Sequence, residues 1–142
     1  MNFNKYKLVI FDLDNTLYDE TTYLLKAYEE ISSYLSEKYC RLPYLEIEFF
    51  LRSQFIENGR CLLFDRLFDK FGIKNELGKC LEILRTVKFS EKISLNKKAG
   101  SLLNRALDES RVVILTNGNP EQQRNKVEQI DWGDCLEYLE VI

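Results

Sequence analysis

The most constraining feature of this sequence is a short apolar run that ends abruptly in acidic residues. Leu8–Phe11 is apolar and partly β-branched, and Asp12 and Asp14 follow it. Such a run is typical of a strand that is covered on both faces in a parallel sheet. Side chains that follow the strand emerge at the carboxyl edge of the sheet, where open α/β folds bind their ligands. The run therefore predicts strand 1 and a functional edge beside it.

The same pattern recurs about 100 residues later in the chain. Val112–Leu115 is apolar and is closed by the residues 116–120, Thr-Asn-Gly-Asn-Pro. Tyr138–Ile142 predicts a third, weaker strand. Because helical periodicity precedes or follows each strand, we expect the α/β fold class with a Rossmann-like parallel sheet core.

The stretch between the first two strands is too long for a single crossover helix. Apolar residues recur in it at helical intervals, and we expect residues 18–90 to be an inserted helical domain, with 1–17 and 91–142 forming the α/β core. The predicted helices are Leu17–Tyr39, Pro43–Asn58, Cys61–Phe71, Leu77–Val87, 97–109 and Pro120–Ile130. Aromatic residues at helical spacing are expected in the core of the insertion: Phe49, Phe50, Phe55, Phe64, Phe68 and Phe71.

Composition excludes several classes of function. The chain of 142 residues contains no histidine, which excludes Ser-His-Asp and Cys-His nucleophiles, His-ligated zinc and phosphohistidine relays. The net charge is −3 and the only basic run is the pair Lys97-Lys98, so no nucleic-acid or anionic-membrane partner is expected. The longest apolar runs are far shorter than the ~20 residues that a membrane span needs.

The four cysteines do not form a recognisable motif. Cys40, Cys61, Cys80 and Cys135 make no C-x-x-C pair, so the sequence supports neither a zinc ribbon nor a thioredoxin-like redox pair. We expect mostly buried thiols in a reducing, cytoplasmic compartment.

Two carboxylates two residues apart can divide the work of a reaction. One of Asp12 and Asp14 can attack or hold a metal while the other moves a proton. The alternative is that these residues only fill a turn and that Thr16 opens a capping box with Asp19. At the second strand, Asn119 as N-cap with Pro120 at N1 starts a helix whose N-terminus favours anions, or simply forms an ordinary turn and cap.

Both strand ends together resemble a known family. Asp12-Leu13-Asp14-Asn15-Thr16 resembles the first signature, D-x-D-x-T/V, of the haloacid dehalogenase-like (HAD) hydrolases. Leu115-Thr116-Asn117-Gly118 resembles the second signature, an apolar strand that ends in Thr or Ser. The insertion directly after the first signature resembles the helical-cap, phosphatase type of that family.

The resemblance implies a role for each matching residue. Asp12 would be the nucleophile that forms an aspartyl-phosphate, and Asp14 the general acid/base. Asp12 through its carboxylate and Asp14 through its carbonyl would contact Mg²⁺, while Thr116, with Asn117 and Gly118, would hold the phosphoryl oxygens. Such a site suits phosphoryl transfer, which needs a positioned oxygen and stabilisation of spread negative charge.

Two further family signatures, a Lys and a later acidic pair, are not found in this sequence. We expect the chain to stop before them, and Lys126 to be a surface residue of the last predicted helix. Strand 1 would then present Leu8–Phe11 as an exposed apolar edge.

Two functions of different classes follow. The first is a Mg²⁺-dependent phosphomonoester hydrolase acting on a small phosphorylated metabolite, with low activity in a chain that lacks the later signatures. The second is a non-catalytic, degenerate HAD domain that binds a partner or a second copy through the exposed strand edge.

Overall fold

Strand β3 (Arg111–Leu115) lies at the centre of a three-stranded parallel sheet, between β1 (Leu8–Asp12) and β5 (Glu140–Val141). The computed structural model describes residues 2–133, 135 and 140–142. Both long apolar runs form the predicted strands, which confirms the α/β fold class. The predicted third strand is confirmed at 140–141, while its residues 138 and 139 lie outside the described part of the chain.

The chain divides into two compact units. One consists of Met1–Thr22 with Lys88–Ile142 and contains the sheet, and the other consists of Tyr23–Val87 and is helical. In the first unit α5 (Lys97–Glu109) packs against β3, and α6 (Pro120–Gln129) follows that strand. The side chain of Asn96 caps α5 by accepting hydrogen bonds from two backbone N–H groups of its first turn.

A second, two-stranded parallel sheet was not predicted. It pairs β2 (Ile93–Ser94) with β4 (Ile130–Asp131). We expected the last helix to extend to Ile130. This is wrong by one residue, because α6 ends at Gln129 and Ile130 begins β4. Strands of two residues are too short to show alternation in a sequence; here Ile93 and Ile130 are simply both buried.

The helical unit contains most of α1 (Glu20–Lys38) and all of α2 (Tyr44–Asn58), α3 (Leu63–Phe71) and α4 (Leu77–Thr86), close to the predicted ranges. Fully buried side chains of α1 recur at helical spacing: Tyr23, Leu24, Ala27, Tyr28, Ile31 and Leu35. Tyr28 packs edge-on against Phe55, and Phe50 against Phe71. Phe49 is 73% exposed on the outer face of α2 with Leu45 and Ile56, so its predicted core position is wrong. The other five predicted core aromatics are only half-buried: Phe50, Phe55, Phe64, Phe68 and Phe71.

The cysteines also depart from expectation. Only Cys80 is buried, and burial raises the pKa of its thiol to about 12. Cys40 and Cys61 are exposed and Cys135 is half-buried, so the expectation of mostly buried thiols is wrong. No disulfide joins these four residues, all of which lie in the described part of the chain.

The free edge of β1 carries exposed apolar side chains. Leu8, 44% exposed, and Ile10, 55% exposed, lie on one face of the sheet, so the expectation that this strand is covered on both faces is wrong. Among the described residues β1 pairs with β3 alone. This confirms the predicted apolar edge, which is a surface prone to pairing with another strand. None of the described helices is long and apolar enough to cross a membrane.

We predict that Glu76 makes the stability of the chain depend on pH. Its nearly buried carboxylate accepts hydrogen bonds from Lys38, Tyr34 and Tyr39, which lower its pKa from the ordinary 4.5. Stabilisation by a carboxylate with a lowered folded-state pKa is complete above the unfolded pKa and is lost as pH falls through the folded one. The unfolding free energy of Glu76→Gln, measured in urea, should therefore approach that of the wild type as the solution is acidified below about pH 4.5.

The control for this prediction is Glu82→Gln. Glu82 lies in α4, the helix that Glu76 directly precedes, but its side chain is 59% exposed and pairs at the surface with Lys79. Its substitution should leave the pH profile of the wild type unchanged. A difference between Glu76→Gln and wild type that stays constant across the acidic range would contradict the assignment.

Candidate active site

The pairing of β1 with β3 brings the two sequence signatures together. Asp12 pairs with Leu115 in the register of the two strands. Thr116, the next residue after β3, therefore lies beside the end of β1. A cavity of about 330 Å³ at this edge is lined by Ile10, Asp12, Leu115, Thr116 and Asn117. The edge at which the sequence predicted a site is thus a concave surface in the structure.

The Asp12 carboxylate is exposed and lightly bound. Among the described residues, the Thr16 hydroxyl is its one hydrogen-bond donor, at 2.9 Å from Oδ2. Residues 13–17 form a tight turn, in which the Leu17 N–H donates to the Leu13 carbonyl. Asn15 takes a positive φ of 58° there, a conformation that Asn tolerates better than most residues. The turn leaves Asp12 facing the cavity with an oxygen available for chemistry.

Thr16 does not open a capping box. Its hydroxyl binds Asp12, and α1 begins only at Glu20. The side chain of Asp19 accepts a hydrogen bond from the Thr21 N–H instead, which makes Asp19 the helix cap.

Asp14, in contrast, is held on both oxygens. Its Oδ1 accepts from the Tyr18 hydroxyl at 2.8 Å, and its Oδ2 accepts from Lys126 Nζ at 2.7 Å and from Gln123 Nε2 at 3.3 Å. The Asp14 side chain is 20% exposed. The two carboxylates of the motif therefore have different surroundings, one open and one fixed.

Lys126 is fully buried, and the expectation that it is a surface residue is wrong. Its ammonium lies 2.7 Å from Asp14 Oδ2 and 2.7 Å from Glu20 Oε1, so that it bridges two carboxylates. A buried ammonium of this kind needs such partners, because taking an unpaired charge out of water is costly. Glu20 itself is 5% exposed and is the first residue of α1.

Helix α6 supplies the second half of this network. Asn119 caps it by accepting from the Gln122 N–H, and Pro120 occupies the first turn, as predicted. Gln123 and Lys126 are three residues apart and lie on one face of the helix. Gln123 joins the two signatures, since it also contacts the Thr116 hydroxyl at 3.2 Å.

The backbone beyond β3 offers donors to a ligand. The Thr116 N–H donates a hydrogen bond to the Ile142 carbonyl, at 3.0 Å. The N–H groups of Asn117 and Gly118 have no acceptor among the described residues. Gly118 has a φ of +123°, and a Cβ at this position would lie 3.0 Å from Gln123 Nε2. Glycine is thus required where the chain turns toward α6.

Gln123 of this network was not singled out from the sequence, and Lys126 was misplaced. Tyr18 and Glu20, just past the first signature, could from the sequence either face the site or be solvated; both are buried. Lys126 lies 112 residues from Asp14 in the chain, and its helix is polar throughout, so a surface location was the natural prediction. A Gln and a Lys three residues apart after the second signature were the one available signal.

The described residues contain no group of three or more acidic or cysteine side chains that could hold a metal ion by themselves. Mg²⁺ commonly binds through one or two protein oxygens, with waters and substrate phosphate completing its shell. The exposed carboxylate of Asp12 fits that kind of site. The Asp14 carboxylate is already bound by Lys126, so only its main-chain carbonyl could contribute.

Comparison with known proteins identifies the class of this protein. The family model for haloacid dehalogenase-like hydrolases matches residues 6–141. Because the match extends over nearly the whole chain, the protein belongs to the haloacid dehalogenase-like hydrolases. No significant match was found among curated protein sequences.

Two solved structures share this fold, and a third is less similar. A haloacid dehalogenase-like family hydrolase from Xanthomonas campestris is 20% identical, with a TM-score of 0.50, over 96% of this chain and 62% of that one. The protein YfnB from Bacillus subtilis, described as a HAD-hydrolase bound to magnesium, is 16% identical, with a TM-score of 0.52, over 96% and 64%. L-2-haloacid dehalogenase from Xanthobacter autotrophicus is 13% identical, with a TM-score of 0.45, over 96% and 56%. The chain spans less than two thirds of the length of each of these structures.

We predict that Lys126→Met destabilises the chain. The substitution removes the ammonium that lies between the carboxylates of Asp14 and Glu20. Breaking a buried ion pair costs about 3 to 5 kcal/mol, and we expect about 3 kcal/mol because Asp14 keeps some contact with solvent. The measurement is the free energy of unfolding in urea.

Lys98→Met is the matched control for this substitution. Lys98 is exposed in α5 and should change stability by no more than about 0.5 kcal/mol. If Lys126→Met were as stable as this control, the buried bridge would not exist in solution.

Proposed function

We propose that the protein is a Mg²⁺-dependent phosphomonoester hydrolase of the HAD type that acts on a small phosphorylated metabolite. The observation that carries the proposal is the exposed Asp12 carboxylate, which faces a cavity shared with Thr116 and Asn117. A nucleophilic carboxylate must be accessible and must lie beside donors that can receive a phosphoryl group. Asp12 meets both conditions.

The proposed reaction has two halves. In the first, a carboxylate oxygen of Asp12 attacks phosphorus, the bond from phosphorus to the ester oxygen breaks, and Asp14 gives a proton to the leaving oxygen. In the second, Asp14 takes a proton from a water that attacks phosphorus, the aspartyl-phosphate bond breaks, and inorganic phosphate leaves with Asp12 restored. Splitting the hydrolysis into two transfers is the usual advantage of a covalent nucleophile.

The phosphoryl group would be held at the end of β3. The N–H groups of Asn117 and Gly118, which have no acceptor among the described residues, would donate to it. Thr116 lines the cavity with Asn117, and its hydroxyl would turn from Gln123 Oε1 to a phosphoryl oxygen. The N-terminus of α6, a helix of ten residues, begins two residues after Gly118 and adds a partial positive charge. Donors fixed in this way stabilise negative charge without reorganisation during the reaction.

Mg²⁺ would be held by the Asp12 carboxylate and the Asp14 carbonyl, and it would reduce the repulsion between an anionic nucleophile and an anionic phosphate. In this proposal residues 18–90, which contain the helical unit, act as a cap that selects the substrate. We also propose a cytoplasmic location, because no disulfide joins the four cysteines.

Asp14 favours phosphate chemistry over dehalogenation. A halide ion leaves without needing a proton, whereas the alkoxide of a phosphate ester needs an acid beside it. A second aspartate two residues after the nucleophile is therefore expected of a phosphatase.

We predict that Asp12→Asn abolishes Mg²⁺-dependent hydrolysis of p-nitrophenyl phosphate. Loss of a covalent nucleophile lowers kcat by about 10³-fold or more. The matched control is Asp108→Asn, an exposed aspartate of α5 that should leave kcat unchanged. Activity that survives Asp12→Asn would overturn the proposal, and release of chloride from a 2-chloro acid in place of phosphate would identify a dehalogenase.

A second candidate function is a binding or assembly module, which is favoured by the exposed apolar edge of β1. In this alternative a second copy or a partner strand pairs with Leu8–Asp12. An edge that presents apolar side chains and unpaired backbone groups is a ready template for such pairing.

Ile10→Lys tests that alternative. A charge in the middle of the edge strand should convert a dimer into a monomer in sedimentation velocity, while the exposed position keeps the change in stability near 0.5 kcal/mol. Leu102→Lys, at an exposed apolar position of α5, is the control. A wild-type chain that is monomeric at every concentration would exclude assembly through this edge.

A further inference from the structure

A buried ion bridge joins Asp14 of the first signature to two residues outside both signatures, Lys126 and Glu20. Lys126 is 0% exposed, and its ammonium sits between two carboxylates at 2.7 Å from each. The three residues come from three places: the turn after β1, the first residue of α1, and α6. Neither of the two contacts is a surface ion pair.

We propose that Lys126 is the positioning residue of Asp14, with Glu20 as the second carboxylate that keeps the ammonium in place. The inference rests on the proposed function, in which Asp14 transfers the proton. The Lys126 ammonium donates to Asp14 Oδ2 and Glu20 Oε1, whereas Asp12 accepts from Thr16, so we place the action of Lys126 on Asp14.

The geometry explains why Asp14 needs such a partner. A carboxylate beside Glu20 would be repelled, and the 20% exposure of Asp14 gives it a direction in which to move away. Lys126 removes this repulsion and binds Oδ2, while the Tyr18 hydroxyl binds Oδ1 from another direction. Two anchors on different oxygens fix both the position and the rotation of the carboxylate.

Glu20 serves a different purpose from Asp14. A lysine side chain is long and flexible, and with a single acceptor its ammonium could take several positions. The contact with Glu20 Oε1 gives the ammonium a second carboxylate partner, at the start of a long helix. Glu20 therefore holds Lys126 in place, and Lys126 in turn holds Asp14.

The test is a double-mutant cycle on kcat with p-nitrophenyl phosphate and Mg²⁺, using wild type, Lys126→Met, Asp14→Asn and the double variant. Misplacing a reacting group by about 1 Å costs about 10²-fold, so Lys126→Met should lower kcat by that order while KM changes little. In the Asp14→Asn background the same substitution should have no further effect on kcat, because its target is gone. If the kcat loss of the double variant equalled the product of the two single losses, the proposal would be overturned and Lys126 would be a purely structural residue.

Two conservative variants guard against loss of folding. Lys126→Arg keeps the charge and should recover part of kcat, and Glu20→Gln keeps the shape and should lower kcat less than Lys126→Met does. Circular dichroism checks that each is folded. A Lys126→Arg variant that is folded but no more active than Lys126→Met would also count against positioning through charge.

A crystal structure of Lys126→Met tests the proposal independently of activity. We expect the Asp14 carboxylate to turn away from Glu20 and toward solvent. An Asp14 that keeps its native position would overturn the proposal even if the variant were slow. Failure of the proposed function would be seen in a different experiment, as unchanged activity in Asp12→Asn.

Discussion

The parallel pairing of β1 with β3 is the interaction on which the rest of this molecule depends. It places Asp12 opposite Leu115, and thereby sets a carboxylate beside Thr116 although about 100 residues separate them in the chain. Parallel strands always bring their carboxyl ends to one edge, so no other element is needed to form the cavity there. The long helical excursion between the strands is tolerated because the cost of closing a loop grows only slowly with its length.

A second constraint is the cost of burying charge. Lys126 lies wholly inside the α/β unit, and its desolvation is offset by two carboxylates and not by one. Apolar residues of similar volume can often replace such groups without loss of stability. The bridge is therefore poorly explained by stability alone, whereas a role in fixing Asp14 accounts for the position of each member.

The sequence was sufficient wherever a pattern is local. Leu8–Phe11 and Val112–Leu115 are apolar runs that indicate parallel strands, and Asn119 with Pro120 marks the start of α6 directly. Contacts between distant residues left no such trace. Lys126 was misjudged because burial of a lysine depends on acidic partners more than 100 residues away, and Phe49 because α2 is apolar on its outer face as well as its inner one.

The central claim is that Asp12 carries a phosphoryl group during turnover. Intact-protein mass spectrometry after acid quenching, with Mg²⁺ and a phosphomonoester present, tests it most directly. The account predicts a mass increase of one phosphoryl group, which peptide mapping places on Asp12 and which is absent from Asp12→Asn. A phosphate-releasing protein without this adduct, or with the adduct on another residue, would contradict it.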